Sequence, residues 1–168
     1  MRAASTTGRS QSAGRPGALD PAGAECTCFK LRSLSRQVTR FYDRILAPAG
    51  LKVTQYSVLG RTRACMAAGR APTVSELAEA LNTDRTTLTR NLGPLIDAGW
   101  LKVGDGPDAR SKAVSLTPAG EAALRHARGM WREAERRLRE TAADSDIDQL
   151  HTLIDRLLPR LTHRSSFT

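Results

Sequence analysis

The stretch from Thr73 to Leu116 limits what this chain can fold into more than any other part of it. Thr73-Val-Ser-Glu76 has the spacing of a capping box, in which the threonine and glutamate each satisfy a free N–H of the other's turn. It predicts a short helix over Val74–Ala80. Leu81-Asn-Thr83 then makes a turn, Asp84 caps a second helix over Arg85–Ala98, and Gly99 stops it. Two short strands, Trp100–Val103 and Ala113–Leu116, flank Gly104–Lys112, a nine-residue linker full of turn formers. That pattern reads as a β-hairpin. A short helix, a tight turn, a longer helix and a hairpin together fit few architectures.

Helices surround this module. Leu31, Leu34, Val38, Phe41 or Tyr42, and Ile45 recur at three- and four-residue steps, one face of a helix that runs to about Leu46 and ends at Pro48 and Gly50. A second helix is expected from Thr54, as N-cap, to Ala68, with Gly69 as its stop. After the hairpin, Thr117-Pro118 opens a long helix with Leu124, Trp131 and Leu138 at heptad spacing and Ala127 and Ala134 between them. Ser145 is expected to cap a last helix carrying Ile147, Leu150, Leu153, Ile154, Leu157, Leu158 and Leu161. That stripe is wider than one neighbour needs, so it predicts a dimer interface built with the first helix. The fold class is therefore mainly α with a small β-hairpin wing: a winged helix-turn-helix plus a terminal-helix dimerisation domain. Its parts are a disordered basic tail (1–24), the N-terminal helix of the dimerisation region (25–50), a DNA-binding lobe (51–116) and C-terminal helices completing the dimerisation region (117–168).

The net charge is +9 at pH 7 and the pI about 10.5, which points to a polyanionic partner. The charge does not locate the contact face. Residues 73–116 hold five basic and six acidic side chains, while 25–72 hold nine basic and two acidic. Placement carries the argument instead. In a helix-turn-helix the first helix braces the second, which presents its N-terminal side chains to base edges. Here these are Arg85, Thr86, Thr87, Thr89, Arg90 and Asn91, with Leu88, Leu92, Leu95 and Ile96 as the core-facing stripe. Arginine can take guanine bidentately, and threonine offers a hydroxyl and a methyl. Pro94 inside this helix removes a donor to the Arg90 carbonyl, beyond the reading residues. Arg110, near the hairpin tip, can enter a narrow minor groove, oriented by Asp108. Lys112, Arg61, Arg63 and Arg70 are candidate phosphate contacts.

These residues resemble the MarR family of winged-helix regulators over Glu25 to Leu161. The resemblance is carried by Gly50-Leu51 with Gln55, Val74-Ser-Glu-Leu-Ala78, Thr87-Leu-Thr-Arg90, Leu95 to Leu101, Asp108-Ala-Arg110 and Leu116-Thr-Pro-Ala-Gly120. It implies a homodimer with entwined terminal helices whose two winged lobes straddle a pseudo-palindromic operator on double-stranded DNA. It also implies, for most members, a repressor released by a small ligand or by cysteine oxidation.

Cys26 and Cys28 fall at the start of the first helix, where the helix dipole favours a thiolate. Cys28-Phe29 followed by Tyr42 resembles the peroxide-sensing OhrR branch of the family, except that Arg32 stands where that branch has a second tyrosine. Arg32 could instead bind a small aromatic carboxylate. Three readings stay open: ordinary structural cysteines, an oxidant sensor, or a soft-metal site at Cys26 and Cys28. No metal or cofactor is expected, since the third cysteine, Cys65, lies in another helix and His126, His151 and His163 are scattered. Trp100 and Trp131 are expected in the core. Enzyme motifs such as a P-loop or a dinucleotide fingerprint are absent. No apolar run approaches the ~20 residues that span a bilayer, and no secretory signal opens the chain, so a cytoplasmic location without membrane contact is expected. The alternative is a basic membrane-surface or non-specific nucleic-acid-binding protein.

Overall fold

The computed structural model describes residues 26–108 and 111–162. The predicted basic tail and Arg110 lie outside the described residues. Among the described residues six α-helices, one 3-10 turn and two strands follow in order: α1 Thr27–Leu46, a 3-10 turn Ala47–Ala49, α2 Val53–Ala67, α3 Val74–Ala80, α4 Arg85–Asp97, β1 Leu101–Asp105, β2 Lys112–Leu116, α5 Pro118–Ala142 and α6 Asp144–Thr162. The chain divides into two compact units, 1–38 and 39–168. The described part of the first is the beginning of α1, where Phe29, Leu31 and Leu34 are exposed.

Local chemistry sets most boundaries. The Thr73 hydroxyl accepts the Glu76 N–H at 3.2 Å while Glu76 Oε2 accepts the Thr73 N–H at 2.8 Å, which completes the predicted capping box. In the following turn Asn82 adopts φ 47, a left-handed conformation asparagine tolerates, and the Thr83 N–H donates back to the Ala78 carbonyl. Gly99, at φ 70, ends α4, with the Trp100 N–H on the Leu95 carbonyl at 2.9 Å. Helix α4 runs unbroken through Pro94.

Several boundaries differ from the sequence reading. Helix α2 starts at Val53 with Lys52 as N-cap, not at Thr54. Its free N–H groups find side chains that helical periodicity does not reveal: Lys52 N–H donates to Gln55 Oε1 at 2.9 Å and Val53 N–H to Asp43 Oδ1, on α1, at 2.7 Å. Helix α6 has already begun at Asp144, so Ser145 is not its cap. The strands are also longer than expected. They pair antiparallel from Leu101↔Leu116 to Asp105↔Lys112, so Gly104, Asp105 and Lys112 belong to the ladder and the loop shortens to residues 106–111. The added rung is closed by the Lys112–Asp105 ion pair at 2.8 Å.

The core is mostly aliphatic. Leu46, Leu51, Val58, Leu59, Leu77, Leu88, Leu92, Leu95, Leu101, Val114, Leu116 and Leu124 are all buried. Each leucine removed from water contributes about 1.5–3 kcal/mol. Ala127 and Ala134 of α5 are wholly buried, where small side chains let neighbouring helices approach. Ile96 departs from its predicted core stripe and is exposed, because α4 turns it past the face that Leu88, Leu92 and Leu95 bury. Trp100 and Trp131 are half-buried rather than core, and Trp131 stacks on Tyr56 with ring centroids 6.0 Å apart. On α6 Ile147 is buried, but Leu153, Ile154, Leu157, Leu158 and Leu161 are between 37% and 67% exposed. A salt link from Arg139 to Asp148 at 2.9 Å ties this helix to α5.

Candidate nucleic-acid interface

Helix α3 is clamped at its start. Arg70 grips Glu76 through both guanidinium nitrogens, and Glu76 at the same time caps Thr73. The Arg70 hydrogen bond, aided by the Thr73 N–H, holds the Glu76 carboxyl well below its ordinary value, at about 2. Arg70, a candidate phosphate contact from the sequence, is therefore held by Glu76. It locks the start of the bracing helix.

Helix α4 stands over a buried floor of Leu88, Leu92 and Leu95 and turns its other face outward. Arg85, Thr86, Thr87, Thr89 and Arg90 are exposed and Asn91 is half-buried. Among the described residues no ion pair engages Arg85 or Arg90. The threonines are not equivalent. Thr87 spends its hydroxyl proton on Asp84 Oδ2 at 2.6 Å, and its N–H on Oδ1 at 2.8 Å, so it belongs to the cap. These bonds, the hydroxyl first, lower the Asp84 pKa and keep the cap charged. The Thr89 hydroxyl donates to the Arg85 carbonyl at 2.8 Å.

The wing follows. Its described tip is organised by Asp108, whose Oδ1 accepts the Ser111 N–H at 2.8 Å, and by the Gly106 N–H on the Ser111 carbonyl at 3.0 Å. Lys112 sits beside Asp105, which its ammonium holds below the usual carboxylate range. Arg61 and Arg63 are exposed on α2.

The base of the wing was not foreseen as a critical joint. The Thr117 hydroxyl donates to the Gly99 carbonyl at 2.6 Å and accepts the Gly120 N–H at 3.0 Å. It therefore ties the end of α4 to the start of α5. Gly120 packs so closely that a Cβ there would overlap the Trp100 carbonyl oxygen and stand 2.8 Å from Leu116 Cδ2. The Gly in Leu116-Thr-Pro-Ala-Gly120 is required by this approach.

Tyr42, expected near the effector site, is buried and donates its hydroxyl to Glu135 at 2.7 Å. Burial first, and then that bond, raise its pKa. In the first unit Cys26 and Cys28 are exposed free thiols and Arg32 is exposed; Cys65, in the second, is half-buried. Among the described residues no group of three or more His, Cys, Asp or Glu could hold a metal ion, and no helix is long and apolar enough to cross a membrane.

This geometry has counterparts. A model of the winged helix DNA-binding domain matches residues 66–120. The M. tuberculosis transcriptional regulator MosR, solved in complex with DNA, is 36% identical with a TM-score of 0.72, over 83% of this chain and 99% of that one. The chain belongs to the MarR family of winged-helix transcription regulators. A cysteine-to-serine mutant of E. coli MarR with operator DNA shares the fold at a TM-score of 0.72 and 24% identity, over 83% of this chain and 99% of that one. An HTH-type transcriptional regulator of Bacillus subtilis (strain 168), YwoH, is 30% identical over 92 residues, 55% of this chain and 64% of that protein. In this MarR-type regulator, α3 and α4 are the helix-turn-helix, β1 and β2 the wing, and the protein binds DNA.

Proposed function

We propose that this MarR-type regulator acts as a homodimer that represses transcription from a pseudo-palindromic operator and lets go when a small aromatic ligand binds or a cysteine is oxidised. The observation that carries the DNA reading is α4 itself. Its exposed arginines and threonines stand on a leucine floor that fixes their position. Arg85 and Arg90 take guanine edges, while Thr86 and Thr89 contact neighbouring bases. Thr87 holds the helix tip in place, and Asn91 lies at the edge of the reading face. Arg110, oriented by Asp108, enters the minor groove, and Lys112, Arg61 and Arg63 meet phosphates. The solved DNA complex of MosR supports this placement.

The dimer reading rests on the exposed stripe from Leu153 to Leu161, an apolar surface of the kind that marks an interface. Two lobes joined there would place their reading helices about one duplex turn apart, ~34–36 Å. The release reading rests on two exposed thiols, Cys26 and Cys28, at the start of α1. Oxidation of Cys28, by bonding to Cys26 or to a cysteine of the second subunit, would alter the start of α1. Arg32 is the residue proposed to bind an aromatic carboxylate there.

The test is selection of bound sequences from random duplex DNA. Wild type should return an inverted repeat. An Arg85→Ala/Arg90→Ala variant should return a different or degraded motif. An Arg61→Ala/Arg63→Ala variant should keep the motif and lower the salt slope by about one unit per lost phosphate contact. An unchanged motif after loss of both Arg85 and Arg90 refutes the placement.

A further inference from the structure

The outer edge of β2 is docked on the lobe by backbone groups at one point and by a sulfur atom at another. The Val114 N–H donates to the Pro72 carbonyl at 2.8 Å, next to a bridge between Thr73 and Ala113. Two residues on, the Leu116 N–H donates to Sδ of Met66 at 3.3 Å. Leu116 is 6% exposed, so its N–H depends on that sulfur. A thioether is a weak acceptor. Met66 is itself 36% exposed at the end of α2, within reach of solutes. Gly120 lies close to the Leu116 side chain, where an added Cβ would stand 2.8 Å from Leu116 Cδ2.

We propose that Met66 is an oxidation site, and that its conversion to the sulfoxide by a hydroperoxide undocks the wing and lowers DNA affinity. A sulfur lone pair attacks one peroxide oxygen. The O–O bond breaks, an S–O bond forms, and the other oxygen takes up a proton and leaves as water when the oxidant is hydrogen peroxide. Sulfur loses the two electrons that the peroxide gains. The result is a larger, polar and chiral side chain, reversible by methionine sulfoxide reductases. If the new oxygen points at Leu116, it enters a gap that is already at hydrogen-bond contact. The Met66 side chain, 36% exposed, then has to move away from the strand to make room. If the oxygen points to solvent, the remaining lone pair sits on a sulfur drained of electron density. Turned to solvent, the sulfoxide leaves the Leu116 N–H on a poorer acceptor; turned inward, its oxygen can take that N–H only after the sulfur moves back, so either orientation disrupts the present contact, and a buried donor without a well-placed acceptor is unfavourable.

The proposal rests on DNA binding by the winged lobe and is independent of the cysteine reading. The experiment uses the full chain with Cys26, Cys28 and Cys65 all changed to serine. Its affinity for a duplex selected by wild type is measured before and after hydrogen peroxide, with the gained oxygen located by peptide mass. Binding before oxidation tests the lobe reading separately. The expected result is a loss of about tenfold on oxidation of Met66, the scale of one buried hydrogen bond. It should be recovered with methionine sulfoxide reductases and absent from the same protein carrying Met66→Leu. Unchanged affinity with Met66 fully oxidised overturns the proposal. So does an equal loss in the Met66→Leu protein, which would place the effect elsewhere, for example at Met130 on α5.

Discussion

Gly120→Ala adds one methyl group and should test the joint between wing and frame. An alanine in place of a helix glycine ordinarily gains about 1 kcal/mol. At this position the methyl meets the Trp100 carbonyl oxygen, with Leu116 Cδ2 at 2.8 Å and Trp100 C at 2.9 Å. That carbonyl cannot swing aside, because it accepts the Thr117 N–H at 3.1 Å and lies 3.3 Å from the Thr117 hydroxyl. Overpacking costs about 1–3 kcal/mol and more against rigid neighbours, so the upper end applies. The net loss should be about 2 kcal/mol. For a chain of this size that lowers Tm by about 4–8 °C. The assay is thermal denaturation followed by circular dichroism at matched protein concentration. Gly129→Ala is the internal control: it lies in the same helix with nothing within 4 Å of an added Cβ, and should gain about 0.5–1 kcal/mol. A Gly120→Ala protein that melts no lower than wild type, while the control behaves as expected, refutes the steric argument.

Other outcomes follow from the same geometry. The folded-state pKa of Glu76 lies below its unfolded value, so its contribution is present above pH 4.5 and is lost as pH falls towards about 2. Glu76→Gln should lower Tm near neutrality and flatten its decline across that acid window, and an unaltered acid limb would speak against the clamp. Ending the chain after Ala143 removes α6 and should abolish the soluble dimer; a well-folded monomer in sedimentation would remove the basis for the interface. Cys28→Ser should resist operator release by dilute organic peroxide, and release equal to wild type would move attention to a ligand at Arg32.

Sequence reading was strongest where a residue's partner lies within a few positions. The Thr73–Glu76 box, the Asp84 and Thr117 caps and the Gly99 stop all depend on local hydrogen bonds or local dihedrals, and all were legible. It failed where the partner comes from elsewhere in the fold. Asp43 reaches across from α1 to cap α2, which shifts that helix start away from Thr54. Arg70 reads from the sequence as a candidate phosphate contact, and its pairing with Glu76 is hidden because that carboxylate already has a role in the cap. Ile96 fits the helical stripe by number, yet it falls beyond the buried floor of α4. The last hairpin rung escaped notice because Gly104 and Asp105 are poor strand formers, held there by pairing and by Lys112. Nothing in periodicity marks Met66 as an acceptor or Gly120 as a point of backbone contact.

The corner formed by Thr117, Trp100 and Gly120 also has a consequence for how such a lobe can diversify. It fixes both legs of the hairpin at their base, whereas the stretch beyond the Asp105–Lys112 rung is organised locally through Asp108 and Ser111. Length is therefore cheap at one end and forbidden at the other. A lineage, or an engineer, can add or delete residues between 106 and 111 and so change how far the wing reaches along a groove. A single insertion between 99 and 101, or between 116 and 120, would break the joint that sets the angle between the reading helix and α5. Reach is the adjustable property of this lobe, and its angle is the inherited one.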